Sequence, residues 1–159
     1  MTAIIRLKRQ LLTIARLSFL SQPADGSRTD WAGRGEGVVE VEHDRDTVRF
    51  HESGRFHLQA AQANQAVTFK NVYRWTFHPD RVSLHHERRG QDAAVWLFDL
   101  VAGDRNGRML VSERAHVCAD DLYAARLVMD DDGFSLDWTI TGPRKNERLH
   151  YRYQTTPKR

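Results

Sequence analysis

Short runs of alternating apolar and polar residues dominate the chain from residue 37 onward. The runs VVEVEH, TVRFHE, RFHLQA, VTFKNVYRWTF, RVSLHHE, AVWLFDLV and RLHYRYQT are separated by turn-forming residues. Alternation with a period of two predicts half-buried strands, and successive strands without helical interludes favour an up-and-down antiparallel barrel or a sandwich. Because closure removes exposed strand edges, we predict an all-β, up-and-down antiparallel barrel of eight to ten strands.

The first residues of the chain follow a different period. Ile4, Leu7 and Leu11 recur at helical spacing within residues 3–11, which predicts a short N-terminal amphipathic helix that packs on one end of the barrel. From Thr13 the period changes to two, which predicts a first strand that ends at Gln22 and Pro23. The residues that follow are rich in Gly, Ser and Asp and predict a long loop.

Two β-type runs, residues 108–118 and 121–129, are separated by two residues only, as in a tight hairpin. That spacing places Cys118 opposite Asp121 and His116 opposite Tyr123. Continued along the strands, the register pairs Glu113 with Arg126 on one face and Arg114 with Ala125 on the other. The second face therefore carries a polar cluster, formed by Arg114, His116, Cys118, Asp121 and Tyr123.

Three interpretations of this polar cluster remain open. It could be a structural hairpin end in which Asp121 caps turn amides and His116 pairs with Tyr123. It could be the polar end of a ligand pocket, or a catalytic site that uses a thiolate or a histidine base. We expect no metal site, because zinc needs further N or S ligands at a spacing that the sequence lacks, and His85 and His86 point to opposite faces of a strand.

Residues 134–140 alternate cleanly between apolar and polar side chains, which predicts a half-buried strand with Trp138 in the core. Gly142 and Pro143 end this strand, and Lys145 follows at its mouth, where a phosphate, a carboxylate or solvent could meet it. The candidate ligand-binding residues are thus Arg114, His116, Cys118, Asp121, Tyr123, Trp138 and Lys145.

The segments HVCADDLY and LDWTITGPRKNERLHYRY closely resemble an uncharacterised bacterial family described as lipocalin-like. Its patterns H-x-C-x-x-D-x-Y and W-x-I-x-G-P-x-K fall here on His116 to Tyr123 and on Trp138 to Lys145. The resemblance extends over residues 31–153. It implies a lipocalin-like, calycin-type β-barrel and implies no particular activity.

Length and composition add limits to this picture. The chain of 159 residues is expected to form one lipocalin-like β-barrel domain, residues 1–159. A single cysteine excludes an internal disulfide and makes the cytoplasm the expected location. The 24 basic and 21 acidic residues are interspersed, which argues against nucleic-acid binding. No apolar run is long enough for a membrane span.

Residues 95–99 are apolar on both faces, so the helix or a second subunit is expected to cover them, and a homodimer remains an option.

These observations favour a small-molecule-binding barrel with a polar cluster around His116 and Tyr123 in its interior, and no cofactor. Two alternatives stay open. One is an enzyme of the isomerase, cyclase or hydrolase kind that uses the same cluster, since a fold does not decide function. The other is a haem-binding barrel, in which an interior histidine serves as the axial ligand.

Overall fold

The computed structural model describes residues 1–23, 32–59, 66–113, 116–118, 121–143 and 146–156, with residues 116–118 described by their backbone. A short 3-10 turn, Gln91–Ala93, lies between the fifth and sixth strands. The helix and strands are, in chain order, α1 (Ala3–Leu11), β1 (Ile14–Pro23), β2 (Gly33–Asp44), β3 (Thr47–Leu58), β4 (Ala66–Phe77), β5 (Val82–His86), β6 (Val95–Ala102), β7 (Met109–Ser112), β8 (His116–Cys118), β9 (Asp121–Asp130), β10 (Gly133–Thr141) and β11 (Asn146–Thr155).

The strands form one closed antiparallel sheet. Each strand from β1 to β6 pairs with the next in sequence, β9 pairs with β10, and β10 pairs with β11. Pairing of β1 with β11 closes the ring. Because β7 and β8 pair with successive stretches of β9, they act together as one interrupted strand. The described chain is thus a closed ten-stranded antiparallel barrel with one short N-terminal helix, which confirms the predicted fold class.

Helix α1 closes one end of the barrel. The Thr2 hydroxyl caps its first turn by accepting a backbone N–H bond of 3.2 Å, and Arg6 Nε donates to the Gly107 carbonyl at 3.0 Å. Leu7 and Leu11, one helical turn apart, are fully buried against the barrel core. The predicted helix is therefore confirmed, with its apolar stripe facing inward. None of the helices in the described ranges is long and apolar enough to cross a membrane.

Aromatic side chains fill the half of the barrel that lies next to α1. Trp75 meets the Phe50 ring edge-on at 5.7 Å between centroids and the Phe134 ring at 5.9 Å. Phe134 stacks on Tyr153 at 4.8 Å, and all four side chains are fully buried or nearly so. This interior, which we call the closed half, is a packed core.

Glycines allow β2 to bend tightly around the barrel and leave room for an inner ring. A Cβ atom on Gly37 would lie 2.2 Å from the Ser53 carbonyl oxygen, and one on Gly35 would lie 2.2 Å from the Phe19 ring. Real Cβ atoms do not approach other atoms so closely, so Gly37 requires glycine, and a side chain at position 35 would displace the Phe19 ring. The Phe19 ring consequently lies flat over Gly35 and stacks on Tyr151 at 5.0 Å.

The register of the β8–β9 hairpin agrees with the two-residue loop. Cys118 lies opposite Asp121 and His116 opposite Tyr123, as predicted. Farther from the loop the register shifts by two residues, so Val111 lies opposite Arg126 and the predicted pairing of Glu113 with Arg126 is wrong.

The register shift between β7 and β8 is explained by the hydrogen bonds of the residues that connect them. The Glu113 N–H donates to the Asp99 carbonyl at 3.0 Å, so this residue bonds toward β6. The Ser112 hydroxyl accepts the Ala125 N–H, also at 3.0 Å, in place of a carbonyl on the neighbouring strand.

Candidate functional site

The half of the barrel away from α1 contains a cavity of about 730 Å³ that is open to solvent. It lies beside Phe19 and Ser21 of β1, whereas Ile14 and Leu17 of the same strand pack in the core nearer the helix. We call this region the open half. A volume of this size falls within the usual range for small-molecule sites, roughly 300 to 1,000 Å³.

Aromatic rings form much of the cavity wall. Phe19 packs against Phe56 at 5.6 Å, against Phe69 at 5.3 Å and against Tyr151 at 5.0 Å between ring centroids. On the other side, Tyr123 stacks on Trp138 at 6.3 Å with planes tilted by 26°. The wall therefore brings together aromatic rings from several strands.

Trp138 was predicted to be buried, and it is, with 7% of its surface exposed. Its neighbours on the inner face of β10, Phe134, Leu136 and Ile140, are buried as well, so the alternation of this strand is confirmed. The indole Nε1 is buried and has no hydrogen-bond partner among the described residues. Trp138 thus brings an unused donor to the cavity wall.

A buried carboxyl group, Glu52 of β3, lies beneath the wall where the open and closed halves meet. Its side chain is 2% exposed, and the Tyr153 hydroxyl donates to its Oε2 atom at 2.6 Å. Oε1 has no hydrogen-bond partner among the described residues. Asn71 lies opposite Glu52 on β4 and lines the cavity, so the carboxyl group lies directly behind the lining.

Burial dominates the protonation of this region. Loss of solvation raises the pKa of Glu52 from 4.5 to about 8, although the Tyr153 hydroxyl and the Asn71 side chain pull it downward. The pKa values of Tyr73, Tyr151 and Tyr153 are also raised, first by burial and then by electrostatic coupling that includes Glu52. At neutral pH all four groups are therefore predominantly protonated and neutral.

Tyr73 and Tyr151 connect Glu52 to the cavity. Their hydroxyl oxygens lie 3.4 Å apart, and their rings meet edge-on at 6.4 Å between centroids. Both residues line the cavity and both couple electrostatically to Glu52. Two residues of the cavity lining are therefore coupled to the buried carboxyl group.

Charged and titratable groups lie around the cavity beyond the aromatic wall. His86 contacts the Tyr73 ring edge-on at 5.3 Å, and burial followed by the charge of Arg88 lowers its pKa. Lys70, Arg88 and Glu147 also line the cavity, and the first two are solvent-exposed. The haem alternative, which requires an interior histidine as axial ligand, stays a prediction.

A second depression, of about 450 Å³, lies near the outer face of β1, β2 and β11. Its lining includes His57, His150 and Arg152, each of which already faces an acidic residue. Arg152, for example, contacts Asp130 through two bonds of 2.7 and 2.9 Å. These existing partners make the outer depression the weaker candidate site.

The predicted site residues divide into three groups. Tyr123 and Trp138 both line the cavity, and Asp121 is half-buried on the same face of β9 as Tyr123. For His116 and Cys118 the structure gives the backbone pairing only, opposite Tyr123 and Asp121. Arg114 and Lys145 lie outside the described residues. A ligand-binding role for any of the seven stays a prediction.

Sequence reasoning missed Glu52 and the three tyrosines around it. A signal exists in β3, where Val48, Phe50, Glu52 and Phe56 share one period-two face and all are buried. A lone acid within an otherwise apolar face is unusual, because an ionised carboxylate is costly to bury without a partner. The missing partners lie far away in sequence, on β4 and β11.

A family model matches residues 15–155, which include all of the barrel strands except Ile14, the first residue of β1. Its description is a family of unknown function, DUF6314. The chain belongs to the DUF6314 family. No curated protein and no solved structure gives a match to this DUF6314 chain.

Proposed function

We propose that this DUF6314 barrel binds a small molecule in the cavity of its open half. The observation that carries the proposal is a preformed volume of about 730 Å³ whose wall contains seven Phe, Tyr and Trp side chains and a few polar groups. Sites for small molecules combine an apolar wall with a few placed polar groups in this way. The lipocalin-like relationship suggested by the sequence motifs, and a cytoplasmic location, belong to the same proposal.

The arrangement of the barrel supports a binding role in particular. One end is closed by α1 and the closed half, which supply a rigid core. The other end carries the cavity on the inner faces of the same strands. A site supported by strands is held in place without any ligand, so binding does not require the protein to order itself first.

Native mass spectrometry of the purified protein, with and without an occluding substitution, tests this proposal. Val67 lines the cavity and is 42% exposed, so Val67→Trp fills the entrance without disturbing the core. Val38, which is 53% exposed and does not line the cavity, provides the control substitution Val38→Trp. We expect a bound small molecule in the unmodified protein and in Val38→Trp, and its loss in Val67→Trp. Equal occupancy in both variants would contradict binding in this cavity.

An enzymatic role is the second candidate, and one observation favours it. Enzymes often raise the pKa of a carboxyl group toward neutrality so that it can act as an acid or base, and Glu52 has a pKa of about 8. Proton transfer requires contact with the substrate, however, and Glu52 is buried and is not among the residues that line the cavity. The catalytic version centred on His116 stays a prediction. The geometry therefore supports binding better than catalysis.

A further inference from the structure

Two features of the open half occur together. Glu52 is a buried carboxyl group without a cationic partner among the described residues, and aromatic rings form much of the cavity wall. Burial, Tyr153 and Asn71 set the state of Glu52, and no basic side chain of the described residues is among its influences. Phe19, Tyr151 and Trp138 line the cavity, and so does Asn71, which lies opposite Glu52 on the neighbouring strand. A carboxylate below and aromatic faces around are the two elements that attract an organic cation.

We propose that the cavity binds an organic cation, such as a quaternary or protonated amine, which the aromatic wall surrounds and the Glu52 carboxylate balances. This inference rests on the proposed function, because it assigns a ligand class to the same cavity. The binding energy comes from the ring faces and from a charge pair formed in a region with little water.

The positions of the other charges favour a cation over an anion. Lys70 and Arg88, which could hold an anion, are solvent-exposed, so water and salt screen them. An anionic group placed deeper would approach Glu52 and the electron-rich faces of Tyr73 and Tyr151. The inner part of the cavity therefore offers no positive partner to an anion, whereas Glu52 can balance a cation once it has released its proton.

Binding of a permanent cation is coupled to release of a proton. Glu52 carries a proton in the free protein up to its pKa of about 8, and a nearby positive charge lowers that pKa. The proton passes from the carboxyl group to the buffer when the cation binds. Affinity for the cation therefore rises with pH up to about 8 and levels off above that value.

The other titratable groups near Glu52 do not produce the same profile. Tyr73, Tyr151 and Tyr153, which face it from β4 and β11, have pKa values raised above 10 and stay protonated. The pKa of His86 is lowered, so it has lost its proton at and above pH 7. Lys70, Arg88 and Glu147 are the other charged side chains of the cavity lining. A change centred near pH 8 therefore identifies Glu52.

Two probes of equal shape separate charge from hydrophobicity. Benzyltrimethylammonium is a permanent cation that cannot exchange a proton, and neopentylbenzene replaces its nitrogen by carbon. Calorimetric titration of each into the full-length protein, from pH 6 to pH 9 and in buffers of different ionisation enthalpy, gives affinity and the number of protons released. This proton count on the unmodified protein needs no variant.

Glu52→Gln keeps the shape of the side chain and removes its charge. The control is Glu40→Gln, an exposed glutamate on β2. We expect the unmodified protein and Glu40→Gln to bind the cation more tightly by about tenfold per pH unit between pH 6 and pH 8, with close to one proton released. Glu52→Gln should bind the cation at least about tenfold more weakly at pH 8.5 and lose the pH dependence, while its affinity for neopentylbenzene stays unchanged.

The outcomes distinguish this inference from the proposed function. If neopentylbenzene binds as well as the cation, or if the pH dependence persists in Glu52→Gln, the cavity is a small-molecule site but not a cation site. If neither probe binds at any pH, the cation inference fails, while the proposed function is decided separately by native mass spectrometry of Val67→Trp and Val38→Trp. Preference for the cation with release of one proton supports both.

Discussion

The closed and open halves of the barrel are built from the same strands but use their inner faces differently. In the closed half, Phe50 and Trp75 of β3 and β4 pack into a solid core under α1. A few residues away on the same strands, Phe56 and Phe69 line a cavity. Each strand therefore contributes to stability at one end and to a binding surface at the other.

The difference between the halves reflects what each end has available for filling the interior. Leu7 and Leu11 of α1 complete the packing on the closed side. On the open side the inner positions of β2 are Gly33, Gly35 and Gly37, which add no side chains. Side chains in the open half therefore form a wall around the interior without filling it. Glu52 marks the boundary, where a polar group is kept away from both water and counter-ion.

The largest expected effect compares two tryptophans, one in each half. Trp75 is fully buried in the closed half, so Trp75→Ala should lower the free energy of unfolding by about 5 kcal/mol. Trp138 already faces the cavity on one side, so Trp138→Ala should cost about 3 kcal/mol. Chemical denaturation measures both. A larger loss for Trp138→Ala would show that the open half is in fact the better packed one.

The helix provides a second way to test the closed half. Leu11→Ala should cost about 3 kcal/mol, because the leucine is fully buried and its removal leaves a cavity beneath α1. Ile5 lies on the outer side of the same helix and is 48% exposed, so Ile5→Ala should change stability by less than about 0.5 kcal/mol. Similar losses for both variants would mean that α1 does not close the barrel through its Leu7 and Leu11 face.

The sequence predicted the features that depend on local periodicity. The 3.6-residue spacing of Leu7 and Leu11 indicated α1, and the alternation around Trp138 indicated the inner face of β10. The two-residue loop after Cys118 fixed the β8–β9 register. Each of these features needs only a few neighbouring residues, and each agrees with the structure.

Features that depend on distant contacts were not predictable in this way. Glu52 is hydrogen-bonded to Tyr153, which lies 101 residues away in the sequence, and no residue near Glu52 in the sequence predicts that pairing. The two-residue shift between β7 and β8 also has a distant cause, because the Glu113 N–H is bonded to the carbonyl of Asp99 on β6. Local patterns indicate the strands, but the way in which the strands close into a barrel determines which side chains meet inside it.

A pH effect on stability should separate Glu52 from the aromatic core. Its pKa is raised from 4.5 to about 8 in the folded state, so folding binds a proton throughout that interval. The stabilisation is fully present below about pH 4.5 and is lost as the pH rises toward 8, at up to about 1.4 kcal/mol per pH unit. We expect Glu52→Gln to remove this slope in denaturation curves recorded from pH 5 to pH 8. An unchanged slope would show that Glu52 is ionised when folded.

The smallest effects on stability are expected for tyrosine hydroxyls, and here the two sides of the boundary should respond in opposite ways. Tyr153→Phe removes the bond of 2.6 Å to Glu52, so it should cost about 1 to 2 kcal/mol of unfolding free energy, although Tyr153 itself does not line the cavity.

Tyr123→Phe keeps the ring stacked on Trp138 and changes only the hydroxyl of a half-buried side chain at the cavity wall. We expect it to cost less than about 0.5 kcal/mol and to weaken binding of the cavity ligand several-fold, as we predict also for His116→Ala, whose backbone lies opposite Tyr123. Asp121→Asn, at the hairpin end, should instead affect the melting temperature more than binding. Melting temperatures and ligand affinities measured on these variants test the assignment. A larger loss of affinity for Asp121→Asn, with a larger drop in melting temperature for Tyr123→Phe, would mean that Asp121 binds the ligand and Tyr123 stabilises the hairpin.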